Sequence, residues 1–232
     1  KDLIPAVLSQ KYNILYTLGN LNNPIGVPLT LLRLKAEHEL GVVEMGASHP
    51  GDIKELVEIA EPDYGIITNV GKAHLEGFDS FEGVIRTKGE LYDYLRRQDN
   101  PTIFIHQDNP YLTQIAWGLN PVTYGEEDNL YINGHVTGNS PYLTFEWKAG
   151  KAGERHEVQT QLIGDYNFPN ALAAITIGHF FGVEAAKIDK ALHAYEPRNN
   201  RSQLKKTADN TLIIDAYNAN PTSMLAAISN FH

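Results

Sequence analysis

Glu44, His74 and Lys88 are the residues whose types and placement best suit chemistry, and the chemistry they suit is metal-assisted phosphoryl transfer. Lys88 carries the most information. Between Ser80 and Leu95 the apolar residues Phe81, Val84, Ile85, Tyr92 and Leu95 recur at helical spacing, and Lys88 occupies the next slot of the same stripe. Desolvation disfavours an ammonium, so an amine placed there titrates low unless an anion pairs with it; in its neutral form it can act as a nucleophile or take up carbon dioxide. Snorkelling, with the stem packed and the charge reaching water, is the simpler reading of one such lysine taken alone.

The surrounding elements weigh against the simpler reading. Tyr64-Gly-Ile-Ile-Thr-Asn-Val-Gly-Lys-Ala-His-Leu-Glu-Gly-Phe78 is an apolar run breaking into a glycine-containing loop, which reads as a strand and the loop at its end. Gly41-Val-Val-Glu-Met-Gly-Ala-Ser48 repeats that design and puts Glu44 near the end of another run. In an open parallel sheet ligands bind beyond the carboxyl ends of the strands, so Glu44 and His74 are expected in one crevice. Singly, Glu44 also reads as a helix-capping carboxylate and His74 as a hydrogen-bonded loop histidine.

Composition sets the bounds. The 232 residues suffice for one large or two modest domains. A net charge of -9 with scattered cations argues against nucleic-acid partners or an anionic membrane surface. The absence of cysteine excludes disulfides and thiolate metal sites. No apolar run approaches the roughly 20 residues that cross a bilayer, and no signal sequence opens the chain, so a cytoplasmic setting is expected.

Along the chain, alternation predicts a helix tail at Asp2 to Gln10, a strand at Asn13 to Thr17, a helix near Pro28 to Ala36, a strand at Gly41 to Met45 and a helix at Asp52 to Ile59. Strand Tyr64 to Thr68, helix Phe81 to Leu95 and strand Thr102 to Ile105 continue it. This βαβ punctuation predicts an α/β fold with a mostly parallel, doubly wound sheet and helices on both faces. From Pro121 to Leu162, short alternating runs such as Tyr142-Leu-Thr-Phe-Glu-Trp147 predict a small antiparallel section. Helices at Pro169 to Phe181 and Ala185 to Tyr195 follow. Glu196 to Ser202 reads as a linker, then strand Thr211 to Asp215 and helix Pro221 to Phe231 begin a second α/β domain. The expected division is 1–197 and 198–232. The chain opens inside a helix without an N-cap and closes early in the second domain, so truncation at both ends is expected. No phosphate-cradling G-x-x-x-x-G-K-[ST] loop is present, and Gly65 to Lys72 has the wrong spacing.

Gly19-Asn-Leu-Asn-Asn-Pro-Ile-Gly-Val-Pro-Leu29, Glu44-Met-Gly-Ala-Ser-His-Pro-Gly-Asp52, Thr68 to Phe78, Thr87-Lys-Gly-Glu90, Gly164-Asp-Tyr-Asn-Phe-Pro-Asn-Ala-Leu-Ala173 and Asp215-Ala-Tyr-Asn-Ala-Asn-Pro221 together resemble the Mur ligases, ATP-dependent amide-bond-forming enzymes of peptidoglycan synthesis. They run in family order through nearly the whole chain. The resemblance implies a P-loop-NTPase-like central domain lacking its phosphate loop, joined to the first strand and helix of the C-terminal domain. It implies activation of a UDP-linked muramoyl tripeptide as an acyl phosphate and coupling to D-alanyl-D-alanine, by a monomer with only small-molecule partners, the isolated piece being inactive.

By the same resemblance Glu44 is a ligand of Mg2+ bridging the β- and γ-phosphates of ATP, and His74 helps hold a second Mg2+. Lys88 is carried as a carbamate, turning a buried cation into an anion that can face metal. Asn170 contacts adenine, with Asn167 beside it; an amide suits an adenine edge because it both donates and accepts. Arg201 approaches the γ-phosphate and Asp215 the ribose hydroxyls, while Asn22 and Asn23 meet the substrate. Asp79, Ile214 and Ala216 depart from the usual glycine, aspartate and serine. A sister ligase, a folylpolyglutamate-type ligase or a non-catalytic nucleotide-binding module are the alternatives.

Overall fold

The computed structural model describes residues 1–71, 75–197, 203–214, 224–225 and 228–229. The chain begins with α1 (Leu3–Leu8), β1 (Ile14–Tyr16), α2 (Gly26–Leu31), β2 (Leu40–Val42), α3 (Asp52–Ala60) and β3 (Tyr64–Ile66). It continues through α4 (Leu75–Phe78), α5 (Phe81–Leu95), β4 (Thr102–His106), α6 (Pro110–Ile115) and β5 (Asn120–Gly125). Then come β6 (Ile132–Gly138), β7 (Thr144–Ala149), β8 (His156–Gln159), a 3-10 turn (Asp165–Asn167), α7 (Phe168–Phe180), α8 (Ala185–Ala194), and the hairpin β9 (Gln203–Lys206) and β10 (Thr211–Ile214).

Strands β1 and β2 pair in parallel, and a larger sheet has the order β3-β4-β5-β6-β7-β8. It is parallel from β3 to β6 and antiparallel from β6 to β8. The period-2 alternation of strand side chains sorts the core into two layers. Phe104 and Tyr124 join Leu3, Val7, Leu172, Ile175 and Leu192 of α1, α7 and α8 on one face. Ile103 and Ile105 join Tyr92, Leu95 and Leu112 of α5 and α6 on the other. Helices therefore cover both faces, as the alternation predicts.

Helix starts follow their caps. The Ser80 hydroxyl accepts from the Gly83 amide at 3.0 Å and opens α5, while Asn109 accepts from Tyr111 and Leu112 ahead of Pro110 and opens α6. Helix α7 is apolar on every side because it lies between the sheet and the helices α1 and α8; its Gly178 leaves room for Val7 and Ile188.

The sequence-based expectations need correction in places. The segment from Pro121 to Leu162 is antiparallel only from β6 onward: β5 lies parallel to β4, because α6 between them carries the chain back across the sheet. The second helix spans Gly26–Leu31 rather than starting near Pro28 and running to Ala36. Strand β2 ends at Val42, which leaves Glu44 in the following loop. The hairpin partner β9 was not expected, and of the helix at Pro221 to Phe231 only 224–225 and 228–229 are described.

Candidate functional site

Two residues beyond β2, Glu44 is held from several directions. Its amide donates to Thr17 Oγ1 at 2.9 Å, and Asn22 Nδ2 donates to its Oε1 at 3.0 Å. Its buried Oε2 lies 2.8 Å from Lys1 Nζ, an ion pair without a directed hydrogen bond. Lys1 also donates to the Gly19 carbonyl. Asn22 is locked into the same loop: its carbonyl accepts from Gly46 at 2.7 Å, and a Cβ at position 46 would come within 2.9 Å of the Asn22 amide nitrogen. Asn23 is exposed, and its Oδ1 accepts from the amides of Ile25 and Gly26, so it caps the start of α2.

Lys88 sits where the stripe puts it. It is partly buried, and Nζ donates to the Asn69 carbonyl, three residues beyond β3, at 2.7 Å. Burial alone pushes its pKa below the ordinary lysine value, and among the described residues no carboxylate pairs with it. The amine thus reaches backbone at the carboxyl end of a parallel strand. His74 lies outside the described residues, as do Arg201 and Asp215.

The loop after β2 is tied to the helix bearing Lys88. Glu90 of α5 accepts from the amides of Gly51 and Lys54, each at 2.8 Å, and a Cβ at Gly77 would lie 2.1 Å from the Ser48 carbonyl oxygen. Asp52 shapes the loop from within, accepting from Ser48 and His49 at 2.8 and 2.9 Å. Desolvation works to raise the Asp52 pKa, but these donors outweigh it and leave the carboxyl below its ordinary value. Sequence reasoning assigned no role to Thr17, Asn69 or Glu90. Only Glu90 left a signal there, as an acid two positions after the striped lysine.

Asn167 and Asn170 stand at the start of α7. Asn167 Nδ2 donates to the Ile163 carbonyl at 2.8 Å, and Asn170 is exposed on the first turn. Phe168 packs on Phe145, opposite Val136 in β6, whereas Phe180 packs on Tyr64 at the amino end of β3. Helix α7 therefore runs back along the sheet and presents its first turn toward the carboxyl side of the parallel strands. That is the side on which Glu44 and Lys88 lie.

Among the described residues no cluster of three or more histidines, cysteines or acids could hold a metal. Glu44 is the carboxylate in position to contribute. Its hard oxygens suit Mg2+, and its buried Oε2 already faces a cation, the Lys1 ammonium at 2.8 Å. Glu44 follows β2, the Lys88 amine reaches the loop after β3 and α7 brings its first turn to the carboxyl side of the sheet, and strand ends of this kind are where open α/β domains of the nucleotide-binding class hold their ligands.

Comparison with known proteins places the chain within that class. Residues 1–178 match the Mur ligase middle domain, and the chain belongs to that family. It is 36% identical to the UDP-N-acetylmuramoyl-tripeptide--D-alanyl-D-alanine ligase of Escherichia coli and 38% identical to that of Bacillus subtilis, over 98% of its own length and 51% and 49% of theirs. The MurF structure from Acinetobacter baumannii superposes with a TM-score of 0.89 at 30% identity, over 99% of this chain and 50% of that one. The Thermotoga maritima MurF ligase, solved in complex with ADP, gives 0.85 at 26% identity, over 99% and 53%. The chain thus spans about half the length of the relatives it matches.

Proposed function

We propose that this chain is the nucleotide-binding part of a cytoplasmic, monomeric ATP-dependent ligase that joins D-alanyl-D-alanine to UDP-N-acetylmuramoyl-tripeptide. Residues 1–197 form its central domain and 198–232 begin its C-terminal domain. The observation that carries this is identity of 36% and 38%, along 98% of the chain, to two relatives named for that reaction. A pseudomurein peptide ligase from Methanothermus fervidus shares the fold at a TM-score of 0.78 and 17% identity, so the fold itself leaves the acceptor open.

In this reading a carboxylate oxygen of the tripeptide attacks the γ-phosphorus of ATP, ADP leaves, and the dipeptide amine then displaces phosphate from the acyl phosphate. Glu44 would hold one Mg2+, which when bound neutralises charge on the phosphates, and His74 would help hold a second. Lys88, as a carbamate, would present an anion on the same side and be fixed by its stem in α5. Asn170, with Asn167 beside it, would meet the adenine edge and Asp215 the ribose, while Arg201 would offer a bidentate fork to the γ-phosphate. Asn22 and Asn23 would line the substrate side; Asn22 also orients Glu44 through its 3.0 Å hydrogen bond.

The direct test grafts residues 1–232 in place of the matching stretch of the Bacillus subtilis relative. Formation of ADP and the D-alanyl-D-alanine amide product is expected. A folded graft that binds ADP yet makes no product overturns the assignment. Without a phosphate-cradling loop, the 232-residue chain alone is expected to hydrolyse no ATP and to bind a non-hydrolysable analogue with magnesium only weakly. Calorimetric binding at micromolar affinity would contradict that expectation.

A further inference from the structure

We infer that Glu90 is a positioning residue of the cleft, fixing the helix that carries Lys88 against the loop that carries Glu44. Helix α3 starts at Gly51, whose φ of +92° and missing side chain leave the first turn without a cap of its own. In an ordinary capping box the N-cap side chain takes the amide at the third helical position, and an acid at that position reaches back to the N-cap amide. Here one carboxylate from another helix takes both, Gly51 N through Oε1 and Lys54 N through Oε2, each at 2.8 Å.

Residues two apart on a helix point to well-separated faces. While Glu90 faces α3, Lys88 on the same turn of α5 faces the Asn69 carbonyl beyond β3. Helix α5 is thereby pinned on two sides, and the buried Gly89 lies between the pins. The loop from Gly46 to Gly51 is pinned in turn: at one end by Asn22, which also holds Glu44, at the other by Glu90. A shift at Glu90 moves Lys88 relative to Glu44. In the ligase proposed above, on which only the chemical consequence rests, a misplacement of about 1 Å between reacting groups costs on the order of a hundredfold in rate.

The test compares Glu90→Gln and Glu90→Ala in the 232-residue chain, using amide hydrogen exchange and the NMR resonances of the Lys88 Cε methylene. Glu90→Ala is expected to speed exchange at Gly51 and Lys54 about tenfold or more, as local opening does, and to shift the Lys88 signal. Strands β6 to β8 stay unchanged. Glu90→Gln, which keeps one acceptor oxygen, falls between, and it decides the matter if the alanine variant does not fold. An unmoved Lys88 signal, or protection lost evenly over the whole chain, overturns the inference and leaves Glu90 a simple cap. In the active graft, Glu90→Gln is expected to lower kcat with KM for ATP unchanged; an unchanged kcat also overturns it. A graft without ligase activity, combined with a responsive Lys88 signal, removes the proposed function and leaves the positioning role standing.

Discussion

At the scale of the residue, Lys88 joins sequence pattern to chemistry most directly. Its place on an apolar stripe strips water from the amine, and the structure gives that amine a backbone carbonyl rather than an acid as partner. Lys88→Ala in the active graft is expected to abolish product formation while the fold persists, since alanine favours the helix and leaves a modest void. The melting temperature should fall by no more than about 2–4 °C, corresponding to about 1 kcal/mol in a chain of this size. A short carboxylic acid, restoring an anion in the vacated space, should recover part of the activity, and bicarbonate should not. Full activity of the alanine variant would return Lys88 to snorkelling.

At the scale of the element, α7 shows how close packing positions a site. Its apolar faces bury against α1, α8 and the sheet, and this burial aims the first turn, with Asn170, at the carboxyl edge. The approach of α1 depends on Gly178, where a Cβ would meet Val7 Cγ1 at 2.3 Å and Ile188 at 3.4 Å. Gly178→Ala is therefore expected to cost about 1–3 kcal/mol from overpacking, partly offset by the better helix propensity of alanine. Urea unfolding measures it. A variant as stable as the parent would mean that α1 shifts freely, and with it Lys1 beside Glu44. The βαβ order was legible because helical and strand periods differ; α6 was missed although Asn109 and Pro110 spell an N-cap and a first-turn proline. Missing it put β5, which is parallel to β4, into the expected antiparallel section.

At the scale of the whole molecule, two half-buried histidines link stability to pH. Burial lowers the pKa of His106, stacked on Tyr124, with Asp108 and Glu126 partly opposing it. Burial also lowers that of His179, bonded to Tyr131, and nearby His156 adds to the effect. Both rings bind a proton more weakly folded than unfolded. The unfolded state thus takes up more protons as pH falls below the ordinary value of 6.5, and stability drops from there until the lowered folded pKa values are passed. Urea unfolding between pH 7.5 and 5.5 should show this loss, and His179→Asn should flatten the slope. Stability independent of pH across that range would count against burial as the cause.

The sequence by itself determined the α/β plan with helices on both faces, the stripe that holds Lys88, and the place of Glu44 just past the end of a strand, because period and punctuation are local properties of a chain. Only the tertiary structure decided that β5 is parallel and that Glu90 caps a helix thirty-odd residues upstream of it. Those outcomes depend on which backbone amides and carbonyls meet across long stretches of sequence. A free amide at the start of α3 looks the same in sequence whether water or a distant carboxylate satisfies it. Packing between α3 and α5 chose the carboxylate.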